Sequence, residues 1–215
     1  MARLSARRMA SIETLFVTRI YRAETAARAP GKRLVGALRD ACLSIAMDDA
    51  AGQAWCEANG YKGYTSYASL DDLAWRSPAF ADLTAALDPH IAEFAKAAEM
   101  ELGRRRLILD SMWINVLEPG GHHSGHIHPH SVVSGTFYVE VPDGASAIRF
   151  EDPRLAMMMA APPRRTRAPR EAQPFVSLAP KAGTLLLWES WLRHEVPANA
   201  AETERISISF NYRMD

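Results

Sequence analysis

The chain has 215 residues, 48% of them apolar, and carries 25 basic and 25 acidic side chains, so its formal charge is zero. That length and apolar share suit one globular domain with a sizeable core. The charge balance excludes a basic nucleic-acid footprint, and no apolar run reaches the ~18 residues that span a bilayer. The only cysteines, Cys42 and Cys56, are too few for a disulfide scaffold and read as reduced thiols of a cytoplasmic protein.

The first dozen residues, MARLSARRMASI, are rich in Arg, Ala and Ser and hold no acid. This is the composition of an organelle transit peptide, but a surface tail or short helix is the preferred reading. Within 11–20 begins the β-prone run LFVTRIY, an edge-strand candidate. Leu34, Leu38, Cys42 and Ile45 recur at helical spacing and predict a helix over 33–50. GYKGYTSYASL is turn-rich and reads as a loop, with Ser69 placed to cap a short helix over 71–75. The strongest helix spans 81–102, with Leu83, Leu87, Ile91, Phe94, Ala95, Ala98 and Leu102 on one face; it contains His90, read as a partly buried helix residue. These helices are expected to pack on the outside of a sheet.

From Ser111 the pattern changes. The runs MWINVL, VSGTFYVEV, AIRFE, FVSL, TLLLW, HEV and RISISFNYR follow one another, separated by Gly, Pro, Asp and Asn. Short strands at this spacing predict a β-sandwich or barrel. The fold class is therefore mainly β with flanking helices (α+β). Residues 1–215 are read as a single domain, in which a helical and edge-strand portion, 1–110, packs on a β core, 111–215. Between AIRFE and FVSL lies a long insertion containing Arg154, Arg164, Arg165, Arg167 and Arg170 together with five prolines. It reads either as a solvated surface loop or as a lid that contacts an anionic substrate.

Five of the seven histidines crowd into GGHHSGHIHPHS. Imidazole is the commonest nitrogen ligand of transition metals. His126 and His128 are one residue apart, so an extended backbone points both to one side. A third ligand must come from elsewhere, and His194, after the buried-strand pattern TLLLWESWL, is the candidate; in a jelly roll the first and last core strands lie side by side. His122, His123 and His130 read as hydrogen-bonding neighbours or exposed residues. The competing readings of the cluster are an incidental polar loop and a metal site without chemistry.

On the strand RISISFNYR, Arg205, Ser207, Ser209 and Asn211 share one face, and Ile206, Ile208, Phe210 and Tyr212 the other. An Arg fork grips a carboxylate through two parallel hydrogen bonds, and a nearby Ser hydroxyl adds a third. A barrel interior that holds one small diacid would look like this; an ordinary strand with a solvated polar face is the alternative.

Taken together, Trp113-Ile114-Asn115, His126-Ile127-His128-Pro129, the run from Ser134 to Val139, Phe150 to Arg154, Pro180 to Val196 and Arg205 to Asn211 resemble the 2-oxoglutarate and Fe(II)-dependent oxygenases, in particular a small bacterial and phage family of them. The likeness covers about residues 111–213, with a fainter echo in LFVTRIY and GYKGYTSY. It implies a double-stranded β-helix, the cupin-like jelly roll, with Fe(II), 2-oxoglutarate and O₂ as reactants. Hydroxylation of a small-molecule or protein substrate, with release of succinate and CO₂, is the default outcome. By position it implies His126, His128 and His194 as metal ligands, Arg205 as the clamp on the far carboxylate of 2-oxoglutarate, and Ser207 as its assistant. Asn115 and Tyr138, on strands expected to line the barrel, would hydrogen-bond the cosubstrate or a metal-bound water. The superfamily holds its metal with His-x-Asp or His-x-Glu and a distal His, and this chain departs from that pattern at His128. Asp152, Glu189 and Glu195 are the acids near enough in sequence to matter, Glu195 facing away from His194. Trp113, Phe137 and Trp188 read as core packing. Two rivals remain. One is a three-His cupin-type dioxygenase without 2-oxoglutarate, disfavoured because Val132 and Val133 stand where cupins place a Glu. The other is a non-enzymatic metal-binding jelly roll. A homodimer through the N-terminal helices is compatible with the sequence.

Overall fold

The computed structural model describes residues 11–215; most of the N-terminal tail expected above lies outside them. In chain order the elements are β1 (Tyr21–Glu24), α1 (Ala29–Asp48), α2 (Ala50–Ala58), β2 (Gly63–Thr65), α3 (Leu73–Arg76), α4 (Pro78–Ala97), β3 (Leu107–Leu117), β4 (His123–His126), β5 (Val133–Glu140), β6 (Ile148–Glu151), β7 (Phe175–Leu178), β8 (Thr184–Glu189), β9 (His194–Val196) and β10 (Arg205–Met214). The strands form two antiparallel sheets, one in the order β1-β8-β5-β10-β3-β2 and the other β4-β9-β6-β7. Facing each other, they make a jelly roll.

The strict alternation on β10 explains how the layers separate. Ile206, Ile208, Phe210 and Tyr212 point to the outer face of the large sheet, where they join Leu38 of α1 and Phe80, Leu83, Leu87 and Phe94 of α4 in one buried cluster. The other face of the sheet turns inward. There Leu117, Tyr138, Leu186 and Trp188 meet Ile148, Phe150 and Leu178 of the small sheet in a second, smaller cluster. Central strands buried on both faces read as near-continuous apolar runs, as TLLLW does. At Gly135, on β5, a Cβ would lie 2.5 Å from the Phe210 ring and 2.6 Å from Leu187 Cδ2, so the outer packing requires a residue without a side chain there.

Several local expectations need correction. The edge strand starts at Tyr21 rather than within 11–20: Leu15, Phe16 and Val17 are exposed, Phe16 has a φ of 58°, and ladder pairing with β8 begins only at Tyr21↔Leu187. GYKGYTSYASL is not all loop, because Gly63–Thr65 pairs with β3 as the opposite edge strand. Ser69 does not cap α3. Its hydroxyl instead donates to Asp49 at 2.5 Å, and Asp72 occupies the cap position. The strong helix begins earlier, at Pro78, behind Ser77, whose hydroxyl accepts from the Ala79 amide, and ends at Ala97.

Replacing Gly135 by Val forces two methyl groups into the β5–β8–β10 contact and is expected to cost about 1–3 kcal/mol. A lower urea midpoint at unchanged slope would report this; an unchanged midpoint would contradict the packing.

Candidate metal centre

The three predicted histidines converge. β4 runs antiparallel to β9 in a register that sets His126 directly opposite His194. The strand ends at His126, and the backbone of His128 is fixed separately, its amide donating to the Ser190 carbonyl at 3.0 Å. The i, i+2 reasoning thus gives the correct side, although His128 lies just beyond the strand. Ring centroids are 4.5 Å apart for His126–His194, 5.0 Å for His126–His128 and 5.2 Å for His128–His194. His128 Nε2 and His194 Nε2 stand 3.3 Å apart. Two cis donors at ~2.1 Å from one metal would be about 3 Å apart, so the spacing fits.

Hydrogen bonding orients the rings. His126 Nδ1 lies 2.7 Å from the Ser124 carbonyl and His194 Nδ1 2.9 Å from that of Leu192, which assigns the proton to Nδ1 and leaves each Nε2 lone pair facing the centre. Burial lowers the pKa of His194 to about 3, helped by the charge of its imidazole neighbours, and that of His128 to about 4. Both are neutral at pH 7, the form that binds a metal. Among the described residues this trio is the only cluster that could hold a metal ion. The nearby acids are engaged elsewhere: Asp152 with Arg154, and Glu195 with Arg149 on the outer side of β9. Glu189 does not join the cluster.

Beside the trio lies a cavity of about 50 Å³ lined by His123, His126, His128, His194, Tyr138, Trp188, Arg205 and Ser207 among others. Arg205 is 1% exposed, with its guanidinium 4.8 Å above the Tyr138 ring. Its Nε and Nη1, the Tyr138 hydroxyl and the Trp188 indole N–H are all buried without a hydrogen-bond partner among the described residues. An isolated buried guanidinium costs several kcal/mol, and burying donors without acceptors adds to that cost. A cavity walled by unsatisfied donors and one unpaired cation is complementary to an anion with several acceptor oxygens. These donors and the three convergent Nε2 atoms fit a metal ion with a carboxylate ligand beside it.

Asn115 lies farther out. Its Oδ1 accepts from the Thr65 hydroxyl at 3.1 Å and its Nδ2 donates to Ser209 at 3.1 Å. With Trp113, His126 and His128 it lines an open groove of about 740 Å³. Trp113 is therefore more than packing: it borders both spaces and meets His128 at a centroid distance of 5.7 Å. Trp188, likewise read as packing, stands 4.7 Å from the His194 ring. Phe137 belongs to the helix-facing core as expected. Sequence reasoning underrated His123, which lines both spaces and shares a 2.7 Å hydrogen bond with the Tyr61 hydroxyl. The fainter resemblance in GYKGYTSY was the available signal for Tyr61, Lys62 and Thr65. The arginine-rich insertion lines neither space; Arg154 and Arg170 border a separate hollow with Leu15 to Val17.

Residues 111–211 match the family described as “Putative 2OG-Fe(II) oxygenase”. Among solved structures the fold is similar to a prolyl-4-hydroxylase of Pseudomonas putida, at 16% identity over 91% of this chain and 92% of that one, with a TM-score of 0.58. It is also similar to EctD from S. alaskensis, at 16% identity over 91% and 73%, TM-score 0.59. A third similar structure is HygX from Streptomyces hygroscopicus, which holds nickel and 2-oxoglutarate, at 13% identity over 91% and 82%, TM-score 0.56. At such identities the likeness is one of fold. No curated protein sequence matches the chain.

His123, His128 and His194 sit well below the ordinary imidazole value of 6.5, chiefly through burial. The folded chain then binds fewer protons than the unfolded chain below pH 6.5, so stability falls as pH falls. For metal-free protein the urea midpoint is expected to drop between pH 6.5 and about pH 5, before most carboxylates titrate, and to drop less in His194→Gln. A midpoint flat across that window would contradict buried neutral imidazoles.

Proposed function

We propose that this chain is a 2-oxoglutarate and Fe(II)-dependent dioxygenase that hydroxylates its substrate, a reading supported by the match of residues 111–211 to the family described as “Putative 2OG-Fe(II) oxygenase”. The single observation that carries the reading is the buried, unpaired Arg205 guanidinium in the same small cavity as three convergent histidines. Fe(II) and 2-oxoglutarate, bound together, supply the oxidative chemistry with O₂, in which the keto acid leaves as succinate and CO₂.

The roles of the residues follow from their geometry. His126, His128 and His194 would hold the metal through Nε2, the rings of His126 and His194 oriented by the Ser124 and Leu192 carbonyls and the backbone of His128 held by that of Ser190. Three neutral donors leave the metal's charge uncompensated, which favours an anionic ligand beside it. Arg205 takes the far carboxylate, and the Tyr138 hydroxyl and Ser207 add donors on adjacent, paired strands. The stack of Arg205 on Tyr138 holds the guanidinium plane in one orientation, so little freedom is lost on binding. Trp188, Ile148 and Val196 line the cavity with apolar surface and limit water access. Asn115 keeps the groove side of β3 in register with β2 and β10 through Thr65 and Ser209. Substrate approaches from the groove that opens past Trp113 and His128.

The test is succinate release from 2-oxoglutarate by protein loaded with Fe(II). Wild type is expected to form succinate slowly even without substrate. Removing the guanidinium deletes charged hydrogen bonds worth about 3 kcal/mol, so Arg205→Ala should lower kcat/KM for 2-oxoglutarate by about 100-fold. His194→Ala should abolish turnover. Iron-loaded wild type that leaves 2-oxoglutarate untouched would overturn the reading and favour a three-His dioxygenase that does not use it.

A further inference from the structure

The groove outside the histidine trio has a wall composition that selects among substrates. Trp55, Tyr61, Tyr67 and Trp113 all border it. Tyr67 is 64% exposed yet meets Trp113, only 8% exposed, edge to face at 5.4 Å, so a rigid aromatic corner projects beside His128. Among the described residues the groove's one side chain of fixed charge is cationic: Lys62 lines it, and no Asp or Glu does. His122, His123, His126 and His128 are its other nitrogen bases. The backbone makes room for the lysine. Gly120 has a φ of +80°, and a Cβ there would come within 2.9 Å of Lys62 Nζ, so the turn leaves the ammonium space at the groove's rim. The volume, about 740 Å³, suits a small organic molecule.

We propose that the substrate is a small molecule with a flat ring and one anionic group, the ring seated on the Tyr67–Trp113 corner and the anion on Lys62. Edge-to-face and offset contacts with two aromatic rings favour a planar ring over a saturated one. A groove bordered by a cation and without acids attracts a carboxylate or phosphate and repels an ammonium. This assignment depends on the oxygenase reading for calling the occupant a substrate, but binding to the groove depends on neither metal nor 2-oxoglutarate.

Calorimetric titration of metal-free protein separates the two. The probes are 2-naphthylacetate, its neutral amide, the matched 2-(2-naphthyl)ethylammonium, and cyclohexylacetate, which keeps the charge and loses the flat ring. 2-Naphthylacetate is expected to bind about tenfold tighter than the ammonium, reflecting attraction exchanged for repulsion at a partly exposed site, and tighter than cyclohexylacetate. Lys62→Gln should remove the preference for the anion while keeping the preference for the ring. Tyr67→Leu, an exposed position whose replacement does not threaten the fold, should weaken all naphthyl probes alike. An ammonium that binds as well as the carboxylate, a cyclohexyl ring that binds as well as naphthyl, or no binding of any probe at millimolar concentration would each overturn the proposal. If the panel behaves as expected while 2-oxoglutarate turnover is absent, the groove assignment stands and the oxygenase reading falls.

Discussion

The site is organised around a charge that the protein does not neutralise. Arg205, the first residue of β10, lies in the space between two sheets, almost fully buried and, among the described residues, with no carboxylate paired to it. A fold that only needed stability would gain from an apolar residue there, since an unpaired buried cation costs several kcal/mol. The neighbouring imidazoles carry no negative charge to offset it, and burial keeps His128 and His194 neutral rather than adding further cations. The whole interior thus has a deficit of negative charge, which a metal-bound dianion would fill. The rest of the architecture holds that deficit in place: β3 and β5 grip β10 on both sides, and the helices seal the outer face of the same sheet.

The three-His ligand set has a further consequence. A site with one carboxylate ligand would lower the net charge of a bound divalent metal, whereas three neutral imidazoles would leave it whole. An anion bound to a metal in this trio would meet Arg205 in the same cavity, where the Tyr138 hydroxyl and the Trp188 indole N–H are further buried donors. Tyr138 also illustrates how the elements cooperate. Burial raises its pKa, against the opposing charge of Arg205, so its hydroxyl keeps the proton it would donate.

Much of this was legible in the sequence, for physical reasons. From Arg205 to Tyr212 β10 alternates between a polar face and an apolar one, and β8 is a near-continuous apolar run, so the strand character of both and the burial of β8 on two faces could be read directly. His126 and His128 are separated by a single residue, so their convergence needed no knowledge of the fold. His194 and Arg205 required the jelly-roll topology, which the order of the strands supplied. The misses have a common cause. β2 is three residues long and exists because it pairs with β3, far away in sequence. His123 gains its place from Tyr61, and Trp113 its second role from Tyr67, through contacts between segments that have no shared periodicity. The insertion with its arginines suggested contact with an anionic substrate on composition alone, but the crossing from β6 to β7 carries it to the far edge of the small sheet.

The measurement that addresses the central claim most directly is an anaerobic visible titration of Fe(II)-loaded protein with 2-oxoglutarate. If the trio and Arg205 hold metal and keto acid together, a metal-to-ligand charge-transfer band grows in and saturates at one equivalent. The band weakens in Arg205→Ala and is absent in His194→Ala. Iron that binds to the trio with no spectral response to 2-oxoglutarate would contradict the account, since the buried guanidinium would then serve some other anion.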